Sequence, residues 1–154
     1  MTLRRASIAD LDAVVALQHA AYAKNRPILG VEPLPLRVDY GDIFRSMEVW
    51  LADNSHGLDG VLILEPRPND LLIWSIATDP SRPASGVGRM MLAWAEDRAR
   101  TLGRATMRLY TGTRLTERVA WYARHGYATE RIEEMTDRSV THMVKHLGPP
   151  TDTV

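Results

Sequence analysis

The chain has 154 residues, 45% of them hydrophobic, with 19 Lys+Arg against 19 Asp+Glu, the size and composition of one globular domain with a sizeable core. Balanced charge excludes the global positive field that draws a protein onto nucleic acid or an anionic membrane. The absence of cysteine excludes disulfides, thiolate metal sites and a cysteine nucleophile. No run of about 18 apolar residues occurs and the start, Met-Thr-Leu-Arg-Arg-Ala-Ser, lacks an apolar signal segment, so the expected location is the cytoplasm.

In chain order, residues 2–6 read as a short strand, and Ser7 or Asp10 can cap a helix running to about Ala23 with Ala13, Val14, Leu17 and Ala21 on its apolar face. Pro27, Pro33 and Pro35 argue against a regular element over residues 24–36, and a second short helix follows over 39–46. Strands over 48–53 and 60–65 form a hairpin around Asn54-Ser55-His56-Gly57, and residues 66–70 turn into a strand over 71–78. A long helix follows Gly86-Val87-Gly88; its stretch Glu96-Asp97-Arg98-Ala99-Arg100 reads as a solvent face laced by near-neighbour ion pairs. Residues 105–111 alternate as a strand, with Met107 and Leu109 on one face and Thr106, Arg108 and Tyr110 on the other. A short helix over 115–125 is stopped by Gly126, and two strands near 128–134 and 139–146 end the domain, residues 1–147, before a disordered tail over 148–154.

The stretch from Leu71 to Gly103 is the most informative: an apolar strand, a proline-punctuated loop ending in two glycines, and a long helix. The glycines let backbone approach a ligand where a Cβ would obstruct it, and the helix's first-turn N–H groups have no intrahelical partners. A pyrophosphate fits such a turn. Arg82 and Arg89 flank it with forked donors suited to phosphate. The dinucleotide fingerprint fails because position 91 is Met rather than Gly, and the P-loop fails because Gly88 is followed by Arg89-Met90.

Ile76-Ala77-Thr78-Asp79-Pro80, then Pro83-Ala84-Ser85-Gly86-Val87-Gly88, resembles motif A of the GNAT superfamily of acyl-CoA-dependent N-acetyltransferases, Gln/Arg-x-x-Gly-x-Gly/Ala, with Pro83 in the Gln/Arg place. Ala120-Trp121-Tyr122-Ala123-Arg124-His125-Gly126-Tyr127 resembles the family's motif B, with Leu115 and Arg118 where many members carry Asn and Ala. The resemblance covers nearly the whole chain. It implies a single-domain α/β fold, a mixed, mostly antiparallel sheet flanked by helices in the order β-α-α-β-β-β-α-β-α-β-β.

The resemblance further implies acetyl-CoA as cofactor, bound by Ile76, Ala77, Thr78, Arg82, Ala84, Ser85, Gly86, Val87, Gly88 and Arg89. The strand positions among these would polarise the thioester carbonyl beside a bulge and hold the pantetheine. Tyr122 would be the general acid toward the leaving thiolate. The acceptor would be a primary amine of a small molecule or peptide attacking directly, without a protein nucleophile. Residues 24–36 read as a substrate-side loop, and Tyr22, Asn25, Arg26, Tyr40 and Asp42 are the substrate candidates. No general base stands out: Glu48 and Glu65 read as surface residues, and His125 as a complement to its helix C-terminus. No metal site is expected, since no ligand spacing occurs. The reading admits a homodimer. The competing reading is a non-catalytic acyl-CoA-binding sensor.

Overall fold

The computed structural model describes residues 2–82 and 85–148. Strands run over Arg4–Arg5 (β1), Glu48–Asn54 (β2), Gly57–Pro66 (β3), Leu71–Thr78 (β4), Thr106–Gly112 (β5), Ala128–Glu134 (β6) and Ser139–His146 (β7). Helices occupy Leu11–Ala23 (α1), Arg26–Leu29 (α2), Tyr40–Ser46 (α3), Val87–Thr101 (α4) and Thr116–Arg124 (α5), with 3₁₀ turns at Ile8–Asp10 and Leu34–Leu36. The strands make one sheet in the order β1-β2-β3-β4-β5-β7-β6. Among the described residues every pairing is antiparallel except that of β4 with β5.

Alternation along the strands sends side chains to two separate cores. Leu62, Leu64, Ile73 and Ile76 pack with Met91, Leu92 and Ala95 of α4 and Tyr122 of α5 on one face. Leu51, Val61, Ile63 and Ala77 pack with Val14 and Leu17 of α1 and Ile43 of α3 on the other. α4 lies close to the sheet because β3 carries Gly60, where a Cβ would come within 2.8 Å of Met91 Cε and 2.9 Å of Val87 Cγ1.

Three local expectations are corrected. The buried positions of α1 are Val14, Leu17, Gln18 and Tyr22, while Ala13 is exposed; the inward stripe is turned to include two polar side chains that pair in the interior. Residues 24–36 are not irregular throughout, because Pro27 sits in the first turn of α2, where its missing N–H costs nothing. The charged stretch of α4 is not simply a solvent face: Arg100 pairs with Asp97, but Arg98 reaches Glu48 of β2 (2.9 Å), and Glu96 accepts from Tyr127 (3.0 Å) and Lys145 (2.9 Å).

Two features of β4 give the middle of the sheet its shape. Its register with β3 passes from Ile63↔Ser75 to Leu64↔Ile73, so Trp74 is an extra residue. This bulge puts Trp74 and Ser75 on the same side: Trp74 meets the Tyr40 ring edge-on at 6.2 Å, and Ser75 bonds Gln18 and Tyr22 of α1. β4 also pairs with β5 only over Leu71–Ile73 against Met107–Leu109. That paired end is clamped by buried Asp70, which accepts from Arg67 (2.6 and 2.7 Å) and from Arg108 of β5 (3.0 Å).

Hydrogen bonds from Arg67, and then from Arg108, hold the Asp70 carboxyl below the usual aspartate range. A depressed folded-state pKa contributes stability that is present above the unfolded value and lost as pH falls through the folded one. Asp70→Asn is therefore expected to lower stability by about 1 to 3 kcal/mol at neutral pH. In denaturant melts across pH the deficit should begin to narrow as pH falls past the ordinary aspartate value of about 4 and close only below the depressed folded-state value, where the wild-type carboxyl is protonated as well.

Candidate active site

Beyond Ile73, β4 pairs with no strand on the β5 side among the described residues. Asp79 N–H donates to Asp59 C=O (2.9 Å), and the register Gly60↔Thr78 through Ile63↔Ser75 is regular. Antiparallel alternation therefore commits the N–H and C=O groups of Ser75 and Ala77 to β3 and turns those of Ile76 and Thr78 into the gap. The Ile76 carbonyl is met there by Arg118 Nη2 of α5 at 3.1 Å.

A cleft runs from this gap to the start of α4. It is lined by Ile76, Ala77, Thr78, Arg82, Ser85, Gly86, Gly88 and Arg89, and across from them by Lys24, Glu117, Arg118, Trp121, Arg124 and His125. Gly86 caps α4 in the left-handed conformation (φ 81°) and its carbonyl accepts from Met90 N–H, so the N–H groups of Val87, Gly88 and Arg89 are the free first turn. Gly88 opens the cleft floor: a Cβ there would lie 3.7 Å from Thr78 and 3.8 Å from Trp121.

A second pocket lies on the other side of the gap. Its walls come from Tyr22 and Asn25, from Leu29 and Pro33 to Pro35, from β4 at Ile73, Trp74 and Ser75, from β5 at Leu109 to Gly112, from Leu115, Arg118 and Tyr122, and from Arg138 to Val140. Gly112 lets Leu29 close one wall, since a Cβ would come within 2.7 Å of Leu29 Cδ2. The two cavities meet at Tyr22 and Arg118, which line both. Beside them Tyr122 is buried, its hydroxyl 3.4 Å from Arg118 Nη2. Burial pushes the Tyr122 phenol above its ordinary value against the opposing pull of Arg118, so the hydroxyl keeps its proton at neutral pH and can only donate it.

Behind the junction is a buried polar network. Gln18 donates to Ser75 (3.1 Å) and Tyr40 (3.0 Å), Ser75 and Tyr22 share a 2.7 Å bond, and the Tyr40 hydroxyl donates to Pro35 C=O (2.7 Å). It fixes the Tyr22 ring and the bulged backbone together.

A family profile described as an acetyltransferase (GNAT) domain matches residues 45–129, which span β2 to the start of β6 and contain the bulge, Tyr122 and the cleft lining other than that from α1 and Lys24. The chain belongs to the GNAT acetyltransferase family. GNAT enzymes are N-acetyltransferases that use acetyl-CoA, and this chain is one of them. Solved structures share the fold. The PaiA N-acetyltransferase of Thermoplasma acidophilum in complex with coenzyme A is 17% identical, with a TM-score of 0.78 over 94% of this chain and 98% of that one. The ribosomal-protein-S18-alanine N-acetyltransferase of Escherichia coli is also 17% identical, with a TM-score of 0.78 over 99% and 97%. A GNAT acetyltransferase of Elizabethkingia anophelis with acetyl-CoA bound is 15% identical, with a TM-score of 0.71 over 95% and 97%. No curated protein matches by sequence.

The residues expected from sequence divide by position. Ile76, Thr78, Ser85, Gly86, Gly88 and Arg89 line the cleft; Ala77 does too, but its N–H and C=O belong to the β3 ladder. Val87 turns its side chain into the core and offers only its backbone. Arg82 lines the cleft while ion-paired to Asp59, so its guanidinium is already partly engaged. Pro83, Ala84 and residues 149–154 of the tail lie outside the described residues. Tyr22 and Asn25 line the second pocket, and Tyr40 stands one contact behind it. Arg26 and Asp42 are not brought to either cavity: they pair on the surface with Glu32 and Arg45, because α2 and α3 turn those positions outward. Glu48 is bound by Arg98 and by Trp50 Nε1 at the sheet's other edge; although burial opposes it, these bonds hold its carboxyl low. His125 Nδ1 lies 2.7 Å from Trp121 C=O at the end of α5.

Gln18 and Arg118, along with Lys24 and Arg124 of the cleft, are site residues that sequence reasoning passed over. Gln18 is fully buried. Gln18→Leu keeps its bulk and removes its donors from Ser75 and Tyr40, so it should cost about 1 to 3 kcal/mol in a denaturant melt; an unchanged midpoint would show that water replaces the amide.

Proposed function

We propose that this GNAT enzyme transfers the acetyl group of acetyl-CoA to a primary amine of a small molecule or peptide by direct attack, with residues 1–147 acting as one catalytic domain. The observation that carries the proposal is the junction itself. Free backbone donors of Ile76 and Thr78 and the protonated Tyr122 hydroxyl face the point where a cation-lined cleft meets an acceptor-sized pocket.

The cleft suits the acyl donor on three counts: the Gly88 floor that a side chain would fill, the open first turn of α4, and Arg89, Arg124 and Lys24 around it. When bound, acetyl-CoA supplies an acyl group activated as a thioester. The chain's share is then division of labour. Val87, Gly88 and Arg89 N–H groups and the Arg82 and Arg89 side chains hold the pyrophosphate. Ile76 and Thr78 accept the pantetheine as a strand-like neighbour, and a β4 N–H at the bulge polarises the carbonyl as a preset donor. Tyr122 gives its proton toward the departing sulfur. Among the described residues no carboxylate lines the acceptor pocket. The Arg118 cation instead disfavours a second positive charge beside it, which favours the neutral amine, and the proton leaves to water.

Two variants test this. Gly88→Val places a branched side chain between Thr78 and Trp121, in space the fold leaves open, and should weaken acetyl-CoA binding about tenfold or more by calorimetry while the melting point stays near wild type. Gly86 is the poorer site, since its φ of 81° would strain any replacement. Tyr122→Phe should reduce kcat by about 10²- to 10⁴-fold with acetyl-CoA affinity kept, because proton donation is needed only as the transition state forms. Undiminished kcat would remove Tyr122 from the chemistry, and tight acetyl-CoA binding without turnover on any amine in the wild type would favour the sensor reading.

A further inference from the structure

Arg118 is a half-buried cation whose charge no carboxylate answers among the described residues. Its hydrogen bonds go to the Ile76 carbonyl and the Tyr122 hydroxyl. The rings of Tyr22 and Tyr122 hold it from two sides, at 5.7 and 5.8 Å from their centroids. Three of the five guanidinium N–H groups have no acceptor among the described residues, and Arg118 lines the acceptor pocket. The charged side chains in that pocket's wall are Arg118 and Arg138, and Arg138 is already paired through Nε and Nη2 with Asp137. The pocket is therefore positive and acid-free, and its one unanswered charge sits at the reacting end. Away from Arg118 and the paired Arg138 the walls are uncharged, with apolar surface from Leu29, Leu34, Trp74, Leu109 and Val140 between neutral polar groups such as Asn25 and Thr111.

We propose that Arg118 is the carboxylate-binding residue of the acceptor pocket, and that the acceptor is an α-amino acid with an apolar side chain. The proposal rests on the amine-acetyltransferase reading above and names its substrate class. A carboxylate completes Arg118 with charge-assisted, forked hydrogen bonds, while a polyamine or other polycation meets repulsion. The distance between charge and amine is set by position. Arg118 binds the carbonyl of Ile76 where the two cavities meet, so an anion held by its remaining N–H groups keeps an amine one carbon away at that junction. The side chain then points along the apolar walls. In the transfer, the amine nitrogen forms the bond to the acetyl carbon, the carbon–sulfur bond breaks, the sulfur leaves with its electron pair and takes the Tyr122 proton, the nitrogen loses its proton to water, and the Tyr122 phenolate regains a proton from water; the carboxylate is unchanged.

The test compares L-leucine and L-phenylalanine with leucinamide and phenylalaninamide, and with 3-methylbutylamine and 2-phenylethylamine, first by calorimetry on the CoA-saturated protein and then by CoA release. The acids should bind about tenfold or more tightly than the amides and amines. In Arg118→Met the preference should fall to about twofold or less, and in Arg118→Lys, which keeps charge but not the fork, to an intermediate value. Arg118→Lys carries the comparison if Arg118→Met fails to fold. Acids that bind no better than amides, no binding by any of the six, or a preference that survives Arg118→Met would each overturn the proposal. If the acids bind by this rule and no CoA is released, carboxylate recognition stands and the transferase reading falls. If amines lacking a carboxylate are acetylated faster than the acids, the transferase reading stands and this proposal falls.

Discussion

The parting of β4 from β5 after three paired residues is the constraint on which the site depends. Each strand follows a different neighbour: β4 keeps to β3 along its whole length, while β5 is paired with β7 from Thr106↔His146 to Gly112↔Val140. Asp70 holds their near ends together, and the bulge at Trp74 turns the far half of β4. What opens is an interior gap edged by backbone N–H and C=O groups, and buried groups of that kind must be paired. Arg118 satisfies the Ile76 carbonyl. The donors of Ile76 and Thr78 are left facing the gap, which has the polar edge of a missing strand. The cleft is a consequence of sheet topology before any side chain is considered.

Charge is distributed to match. The chain is neutral overall, with 19 charges of each sign, yet Lys24, Arg82, Arg89, Arg118 and Arg124 converge on one cleft against Glu117. Elsewhere several cations are neutralised by carboxylates that bridge separate elements, as Glu48 does for Arg98, Glu96 for Lys145 and Asp70 for Arg67 and Arg108. Balanced composition therefore hides a local positive site. Asp59, beside Arg82, orients one of these cations at the mouth without cancelling the cleft as a whole.

What was legible in the sequence was local. The glycine pair and the helix it opens, the alternation of β5, the left-handed stop at Gly126 and the two final strands are each decided by a few consecutive residues, and the resemblance of motifs A and B to the GNAT pattern gave the order of elements around them. What was not legible depends on register between distant strands. Trp74 is an ordinary strand residue until β3 slips past it at Ile63. Gln18 lies 57 residues from Ser75, and Arg118 lies 42 from Ile76. A polar residue on a helix gives no sign of facing inward when its partners come from another part of the chain. The surface position of Arg26 and Asp42 has the same origin: nearness in sequence to the acceptor entrance does not determine which way a short helix turns its side chains.

Polar residues at inward positions of α1 impose a geometry that apolar ones could not. A leucine at 18 or a phenylalanine at 22 would fill the same volume with little preference for orientation, whereas directional bonds from Gln18 and Tyr22 to Ser75 fix both side chains against a backbone already displaced by the bulge. Tyr22 in turn faces Arg118, with Tyr122 on the guanidinium's other side. The guanidinium is thus set in place from three elements, α1, β4 and α5, before any ligand arrives. A cation preorganised in this way suits an anion without first ordering a long side chain, and the same contacts hold the Tyr122 hydroxyl at the junction of the two cavities.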